Sequence, residues 1–524
     1  MKIIRHLLLL IIVGIALSSC TGDSIELQPQ TAISSDLIYT DPAFAEAYLN
    51  KVYSAIPHGF NRGWYMLDAA TDDAENSYPW PASNTIFNPS NISPDNSPFN
   101  GLWFGAYKQI RRLNGFIANY DRLEGNEELV NRLKAEAHFL RGFYYTYLLR
   151  TFGGVPIIKN AQQLDDENLL VPRNTEEEVL NFIMEELDKA AQLFEIAEGA
   201  ASTRGSWAAV KAMEGRILLY QEKYTESAAA SKEVLDAQKY QLDLNYQNIF
   251  LDDNSPEVIF DVQFKDPDKG HWGNLFNTPK SEGPISGWGG TGPTQNLVDQ
   301  YEMKATGKKP SEPGSGYDIN NPYQGRDPRF YASILYDGAQ WKGQTMRFRP
   351  GGAEGIATSG DFTRTGYGLK KFMQESRNHR DKSTQHWVFI RLAEVYLNYA
   401  EALIESNTDL NLATDAINEV RKRADMPLIT EETQAQMREL VRHERRIELV
   451  FEEHRFWDIR RWGIAGDNDV LTIYKMKMDE NGNLIGNGKE IWETRVWTPR
   501  DYLMPIPQDD MDKNKNLVQN PGYE

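Results

Sequence analysis

Apolar positions recur at helical spacing over most of this chain and fail in two long stretches, and that alternation sets its organisation. Asp41 followed by Pro42 supplies an N-cap and a first-turn proline, predicting a helix to about Ile56. From Pro57 to Asn100 the periodicity vanishes, and Asn76-Ser-Tyr-Pro-Trp80-Pro-Ala-Ser-Asn84 lies in a loop of a length that is usually functional or disordered. Helical spacing resumes over 102–122 and 127–150 and stops at Phe152-Gly-Gly-Val-Pro156. Asn174 or Thr175 then caps a helix to about Phe194, with Glu177 and Glu178 placed for a capping box.

Two amphipathic stretches, 206–221 and 224–238, put small residues at the contact positions: Ala208, Ala209, Ala212 and Gly215, then Ala228 and Ala230. A pair of the same type returns at 387–405 (Ala393, Tyr396, Ala400, Ala402) and 411–425 (Ala413, Ala416, Val420). The length of such a pair is near the tetratricopeptide period of about 34 residues. Up to four pairs of this kind favour a right-handed superhelical stack. Between 250 and 385 the pattern changes to short β-like runs such as Val258-Ile-Phe-Asp-Val-Gln-Phe264, separated by Gly, Pro and Asn clusters, so a large irregular insert splits the repeats. A last helix at about 432–452 carries a dense charge ladder before Phe456-Trp-Asp-Ile-Arg-Arg-Trp462, and a punctuated tail follows.

The first residues change the picture of where the chain lives. Lys2 and Arg5 precede an apolar run from Leu7 to Leu17, and Leu17-Ser18-Ser19-Cys20 has the form of a bacterial lipobox. The run is too short for a spanning helix, which needs about 20 residues. Residues 1–19 are read as a signal peptide, Cys20 as the acylated first residue of the mature protein, and residues 20–40 as a lipidated tether to a body over 41–524. The alternative is an ordinary cleaved signal with an incidental cysteine. With its one cysteine lipidated, the chain has no disulfide and no thiolate for metal or catalysis. The net charge of −19 argues against a nucleic-acid partner, which needs a basic surface. Aromatic residues make up 11%, many beside Gly, Pro and Asn, a placement compatible with exposed stacking surfaces, although core packing is the commoner use of any single aromatic.

Motifs of catalysis and metal binding fail on context. Gly287-Trp-Gly-Gly-Thr-Gly292 fits a dinucleotide-binding pattern, but no apolar strand precedes it and Pro293 follows, leaving a loop that presents Trp288 either to ligand or to the core. Asp479, Asn481, Asn483 and Glu490 mimic a calcium loop, yet Leu484 stands where the sharp turn needs Gly, so a β-turn at Asn481-Gly482 is expected instead. His443-Glu444 is followed by Ile447 where a zinc-protease helix needs its second His. Asp72-Asp73 are adjacent and so do not face each other across a sugar as a hydrolytic pair; each is a sugar-hydroxyl acceptor or a loop brace. No cofactor, metal or catalytic residue is expected.

Several blocks carry a family resemblance. They are Phe139-Leu-Arg-Gly-Phe-Tyr-Tyr-Thr-Tyr-Leu-Leu-Arg-Thr-Phe-Gly-Gly-Val-Pro156, Arg326-Asp-Pro-Arg329 and Phe389-Ile-Arg-Leu-Ala-Glu-Val-Tyr-Leu-Asn-Tyr-Ala-Glu401. Ile417-Asn-Glu-Val-Arg-Lys-Arg-Ala424, Arg442-His-Glu-Arg-Arg-Ile-Glu-Leu-Val-Phe-Glu-Glu453 with Arg455-Phe-Trp-Asp-Ile-Arg-Arg-Trp462, and Gln519-Asn-Pro-Gly-Tyr523 continue them in the same order. With the lipobox, the chain resembles the SusD/RagB-like outer-membrane lipoproteins of Bacteroidota. The resemblance implies a mostly α, tetratricopeptide-like superhelix with a loop-rich insert, exposed at the cell surface, that captures glycan and passes it to a TonB-dependent (SusC-like) transporter without catalysis. Helical repeats at about 41–56, 102–240 and 386–455 would meet the transporter, and segments 57–100 and 250–385 would build the ligand face. The alternative is a peptide-binding or scaffold lipoprotein of such an uptake complex. The charged blocks, including Arg442, Glu444, Arg445, Glu448, Glu452 and Arg455, are read as structural pairs at helical spacing.

Sugar rings lie flat on indole and phenol faces while Asp, Asn and Arg fix hydroxyls at the edges. The expected stacking platform comprises Trp80 with Asp72, Asp73 and Asn84 from the early loop, plus Trp272, Trp288, Tyr323 and Trp341 from the insert.

Overall fold

The computed structural model describes residues 35–61, 66–78, 92–196, 202–280, 287–357, 362–378 and 380–524, so the signal segment, Cys20, Trp80 and Asn84 lie outside the described residues. Where a polar tether is expected, Ser35–Thr40 form a short helix, α1. The Asp41 carboxylate accepts from the Ala43 amide at 2.8 Å and opens α2 (Pro42–Tyr53). Next come α3 (Asn100–Ile117) and α4 (Glu127–Phe152), the latter capped by the Asn126 side chain. From Ala135 through Leu149 every residue of α4 is buried, because α2, α3 and the following helix pack around it. The helix ends where Gly153 takes a φ of 73°, and a Cβ on Gly154 would stand 2.1 Å from the Asn174 carbonyl.

Thr175 and Glu178 exchange the two hydrogen bonds of a capping box at the start of α5 (Glu176–Ile196). The helices α6 (Trp207–Tyr220) and α7 (Tyr224–Asp236) make the small-residue contact that their sequence predicts. Ser227 Oγ donates to the Gly215 carbonyl at 2.7 Å, and a Cβ on Gly215 would meet Ser231 Oγ at 2.5 Å.

The insert leaves after α7 and returns through a strand pair. Strand β2 (Val258–Val262) runs antiparallel to Trp387–Arg391, so the two ends of the insert are tied together. The helix predicted from residue 387 therefore begins later, as Leu392–Ser406, because Trp387-Val-Phe-Ile-Arg391 is buried on every side and its run of β-branched and aromatic residues suits an extended chain. That helix packs directly on α7, making repeats that are split in sequence contiguous in space. Helices at Leu410–Arg423 and Gln434–Glu448 extend the stack, and His454–Arg461 follows a turn in which Phe451 and Glu453 have φ of 62° and 65°. One apolar core runs through both the early helices and the insert; a second joins α7 to the last helices of the stack. No described helix is long and apolar enough to cross a membrane.

The charge ladder is buried, and its partners differ from the spacing-based expectation. Arg391 reaches Glu257 at 2.7 Å, Glu448 at 2.6 Å and Glu452 at 2.7 Å. Arg329 reaches Glu444 and Glu448 at 2.5 and 2.8 Å, Arg421 reaches Glu302 and Glu444 at 2.8 Å each, Arg423 pairs with Glu257 and Glu448, and Lys371 with Glu452. The pairs join different elements; helical spacing only gathers the charges onto one face.

Replacing Gly215 by Val should force α7 away from α6 and cost about 1–3 kcal/mol, the range for overpacking. Thermal melting checks this against Gly101→Ala, whose added methyl meets nothing within 4 Å and should leave the midpoint nearly unchanged.

Candidate functional site

The described part of the ligand-face segments is held by a three-residue strand pair. Strand β1 (Ala74–Asn76) runs antiparallel to β3 (Thr291–Pro293), with Asn76 opposite Thr291. Just beyond it, the Ser77 amide and hydroxyl donate to the carbonyls of Gly290 and Gly289 at 3.0 and 2.6 Å. The short helix α8 (Gly273–Asn277) closes the unit, its Leu275 and Phe276 carbonyls accepting from Trp288 and Gly290 amides at 2.8 and 2.7 Å. The glycines of the 287–292 run now have a local reason. A Cβ on Gly287 would lie 2.2 Å from the Thr278 carbonyl, and Gly289 has a φ of 56°. The run feeds a strand instead of following one, so it is no dinucleotide loop.

Three rings meet there. Trp288 is half-buried, with Phe276 at 5.4 Å and 42° and the edge-on ring of Tyr78 at 6.2 Å and 85°. The Tyr78 hydroxyl donates to the Phe276 carbonyl at 3.3 Å. Trp272 stands at the N-cap of the same short helix and is 39% exposed. Thus Trp272 and Trp288 are attached to one unit, and Tyr78 and Phe276 are the ring partners that sequence reasoning passed over. Tyr78 lies two positions from the chosen Trp80; Phe276 offered no signal beyond its type.

Three expected contacts require correction. Trp341 is only 1% exposed, built into the core, and has no face left for a sugar. Asp72 and Asp73 are buried and are loop braces, the second of the two roles weighed for them. Arg455 holds Asp72 through two bonds of 2.9 Å, and Arg446 reaches Asp72 at 2.8 Å and Asp73 at 2.7 Å. Burial alone would raise the Asp72 carboxyl, but the Arg446 and Arg455 guanidiniums override it and hold it down at about 2. Asp73, sharing Arg446, is raised by burial. Asp68 accepts from the Phe451 and Glu453 amides at 3.0 and 3.3 Å, and Glu75 meets Arg495 at 2.7 Å, so the early segment is pinned by four acids to the end of the chain.

Tyr323 belongs to a different place. It lines a groove of about 310 Å³ between the 310–323 loop and a hairpin of strands Thr472–Met478 and Leu484–Thr494. At the tip of that hairpin, Asp479 Oδ1 accepts from the Asn481 and Asn483 amides at 2.9 and 2.8 Å, and Oδ2 from the Asn483 side chain at 3.0 Å. Its lone pairs serve a turn, and among the described residues no cluster of His, Cys, Asp and Glu suits a metal ion.

Comparison with known proteins gives the same architecture. Residues 256–523 match the family model described as SusD family, and residues 34–219 match one described as starch-binding and associating with the outer membrane. The starch-binding protein SusD of Bacteroides thetaiotaomicron is 24% identical, over 79% of this chain and 77% of its own. Two crystal structures from Bacteroides fragilis superpose closely. One is a SusD-like protein, TM-score 0.82 and 29% identity, covering 94% of this chain and 99% of its own. The other is a SusD-like carbohydrate-binding protein, TM-score 0.81 and 28% identity, covering 92% and 100%.

The brace at Asp68 should show in a pH series. Burial first, then Asp73 and Glu453, raise its carboxyl to about 8 against the amides of Phe451 and Glu453. The folded chain then keeps a proton that the unfolded chain loses, so this group's contribution to stability falls as pH rises from about 4 to about 8 and levels off above. Asp68→Asn should flatten that slope in the melting midpoint; an unaltered slope would assign it to other groups.

Proposed function

Because the chain belongs to the SusD family, a glycan-binding group associated with the outer membrane, we propose that it captures oligo- or polysaccharide at the cell surface and delivers it to a TonB-dependent transporter. The observation that carries this reading is the partly exposed Trp288 ring, set by Phe276 and Tyr78 on a rigid strand-and-helix unit of the insert. Sugar C–H faces stack on such an indole, and a platform whose rings are held before ligand arrives loses little entropy on binding. Trp272, on the same unit, and Trp80 and Asn84, in the early segment, complete the expected platform. The binding in this reading is non-catalytic: Asp68, Asp72, Asp73 and Glu75 of the early segment are buried and occupied with guanidiniums and backbone amides, so these four do not form a pair that acts as acid and nucleophile.

Anchoring through Cys20 holds the body beside its transporter. In this reading the transporter meets the helical side, which carries a groove of about 940 Å³ between the 157–174 loop and α5. A glycan carrier must also release, and a shallow aromatic platform suits modest affinity.

Trp288→Ala should weaken retention in polysaccharide-containing gels by about tenfold, the equivalent of about 1.4 kcal/mol, with the melting midpoint nearly unchanged. Prolonged incubation of the wild-type protein with the retarding glycan should release no new reducing ends. Retention equal to wild type in a folded Trp288→Ala protein would overturn the platform.

A further inference from the structure

The groove at Tyr323 has walls, edges and a position of its own. Its apolar surfaces are Tyr317, Tyr323 and Ile319, the last 41% exposed at the lip. Tyr323 is fixed by Tyr336, 4.5 Å away, and by its hydroxyl, which reaches Tyr367 at 3.5 Å. Along one edge runs a polar chain: the Tyr367 hydroxyl donates to Gln295 at 2.6 Å, the Gln295 amide to Asp299 at 2.7 Å, and Lys489 to Asp299 at 2.6 Å. Asp299 and Lys489 are each about one-third exposed, at 32% and 31%. An acceptor and a donor held side by side complement the adjacent hydroxyls of a pyranose, while flat rings complement its C–H face. An ammonium has three donors, and Asp299 engages one.

The charge of the groove selects against acidic sugars. Arg326 is buried beneath it, but its hydrogen bonds go to the carbonyls of Val298, Tyr301 and Pro322, so the guanidinium holds the walls together. Lys489 is already neutralised by Asp299, and the chain as a whole carries −19. A polyanion meets repulsion at long range and, among the described residues that line the groove, no unpaired cation at the edge.

The groove also lies within reach of the Trp288 platform. Gln295 follows Trp288 by seven residues, with β3 between them, so the two places are separated by at most about 25 Å of extended backbone. We propose that this groove is a second saccharide subsite, taking an uncharged pyranose unit of the same polysaccharide chain that stacks at Trp288. The proposal rests on the glycan-binding reading. Two weak sites on one polymer raise retention through effective concentration while each still releases short fragments readily.

The test uses the full chain, purified in detergent, with starch, laminarin, galactomannan and alginate in affinity gels, and calorimetry with a trisaccharide of whichever glycan retards it. Tyr317→Ala and Lys489→Met, both checked by thermal melting, alter the groove without touching the Trp288 unit. The expected result is retardation by a neutral polysaccharide, weakened about tenfold in each variant, with trisaccharide stoichiometry falling from two to one in Tyr317→Ala. Wild-type stoichiometry of one with undiminished retention in both variants overturns the subsite and leaves the glycan reading standing. Retardation by alginate alone overturns the uncharged ligand class. Absence of retardation by all four polysaccharides removes the shared premise and the subsite with it.

Discussion

The buried carboxylate of Glu448 is the point on which the arrangement of helices and insert depends. Arg329, Arg391 and Arg423 converge on it, and each comes from a different part of the chain: the insert, the strand that ends the insert, and the helix before it. Burial by itself would raise this carboxyl, and the three guanidiniums, with Arg423 foremost, hold it well below the usual carboxylate range. Removing one member of such a cluster leaves uncompensated charge in a dry interior, at a cost of about 3–5 kcal/mol. An apolar contact tolerates sliding, whereas bidentate and convergent charge pairs admit one relative position. The insert is therefore registered on the helical stack by electrostatics and stabilised there by the apolar core it shares with α4.

The same device extends to the ligand face. Arg446 and Arg455 lie on the helices to either side of the Phe451 to Glu453 turn, and they clamp Asp72 and Asp73 in the early segment. The strand β1 that follows is then delivered to β3 beneath Trp288. A chain of contacts thus leads from the core charges to the aromatic unit, and a binding surface built from loops inherits the rigidity of the helices under it.

What the sequence reveals follows from which signals are local. Helix ends are local, so the caps at Asp41 and Thr175 were legible from residue type and spacing. Small residues at the α6–α7 contact were legible for the same reason: their spacing fixes the face on which they lie. The partner of a charge is not local. Glu448 and Glu452 sit four apart on a ladder that invites helical pairing, yet both meet Arg391, 57 and 61 positions away. Asp72 looked like a loop acid because its clamp, Arg455, lies 383 residues further on. Trp341 and Trp288 have the same side chain and similar Gly-rich neighbours, but one is sealed in the core and the other is partly exposed. The run 387–391 failed as a helix because a segment buried on all faces has no polar side to set its period.

These constraints also commit the arginines that lie beneath the early segment and the groove. Basic side chains are the minority, 56 Lys and Arg against 75 Asp and Glu, and many of the arginines are committed inside. Buried guanidiniums such as Arg391, Arg421 and Arg455 neutralise interior acids. The groove proposed as a subsite would work mainly through flat rings and a paired, mutually neutralised edge, Asp299 with Lys489. In the reading proposed above, a fold whose arginines register its insert selects ligand by shape and stacking, means that suit polymers of uncharged, hydroxyl-rich rings.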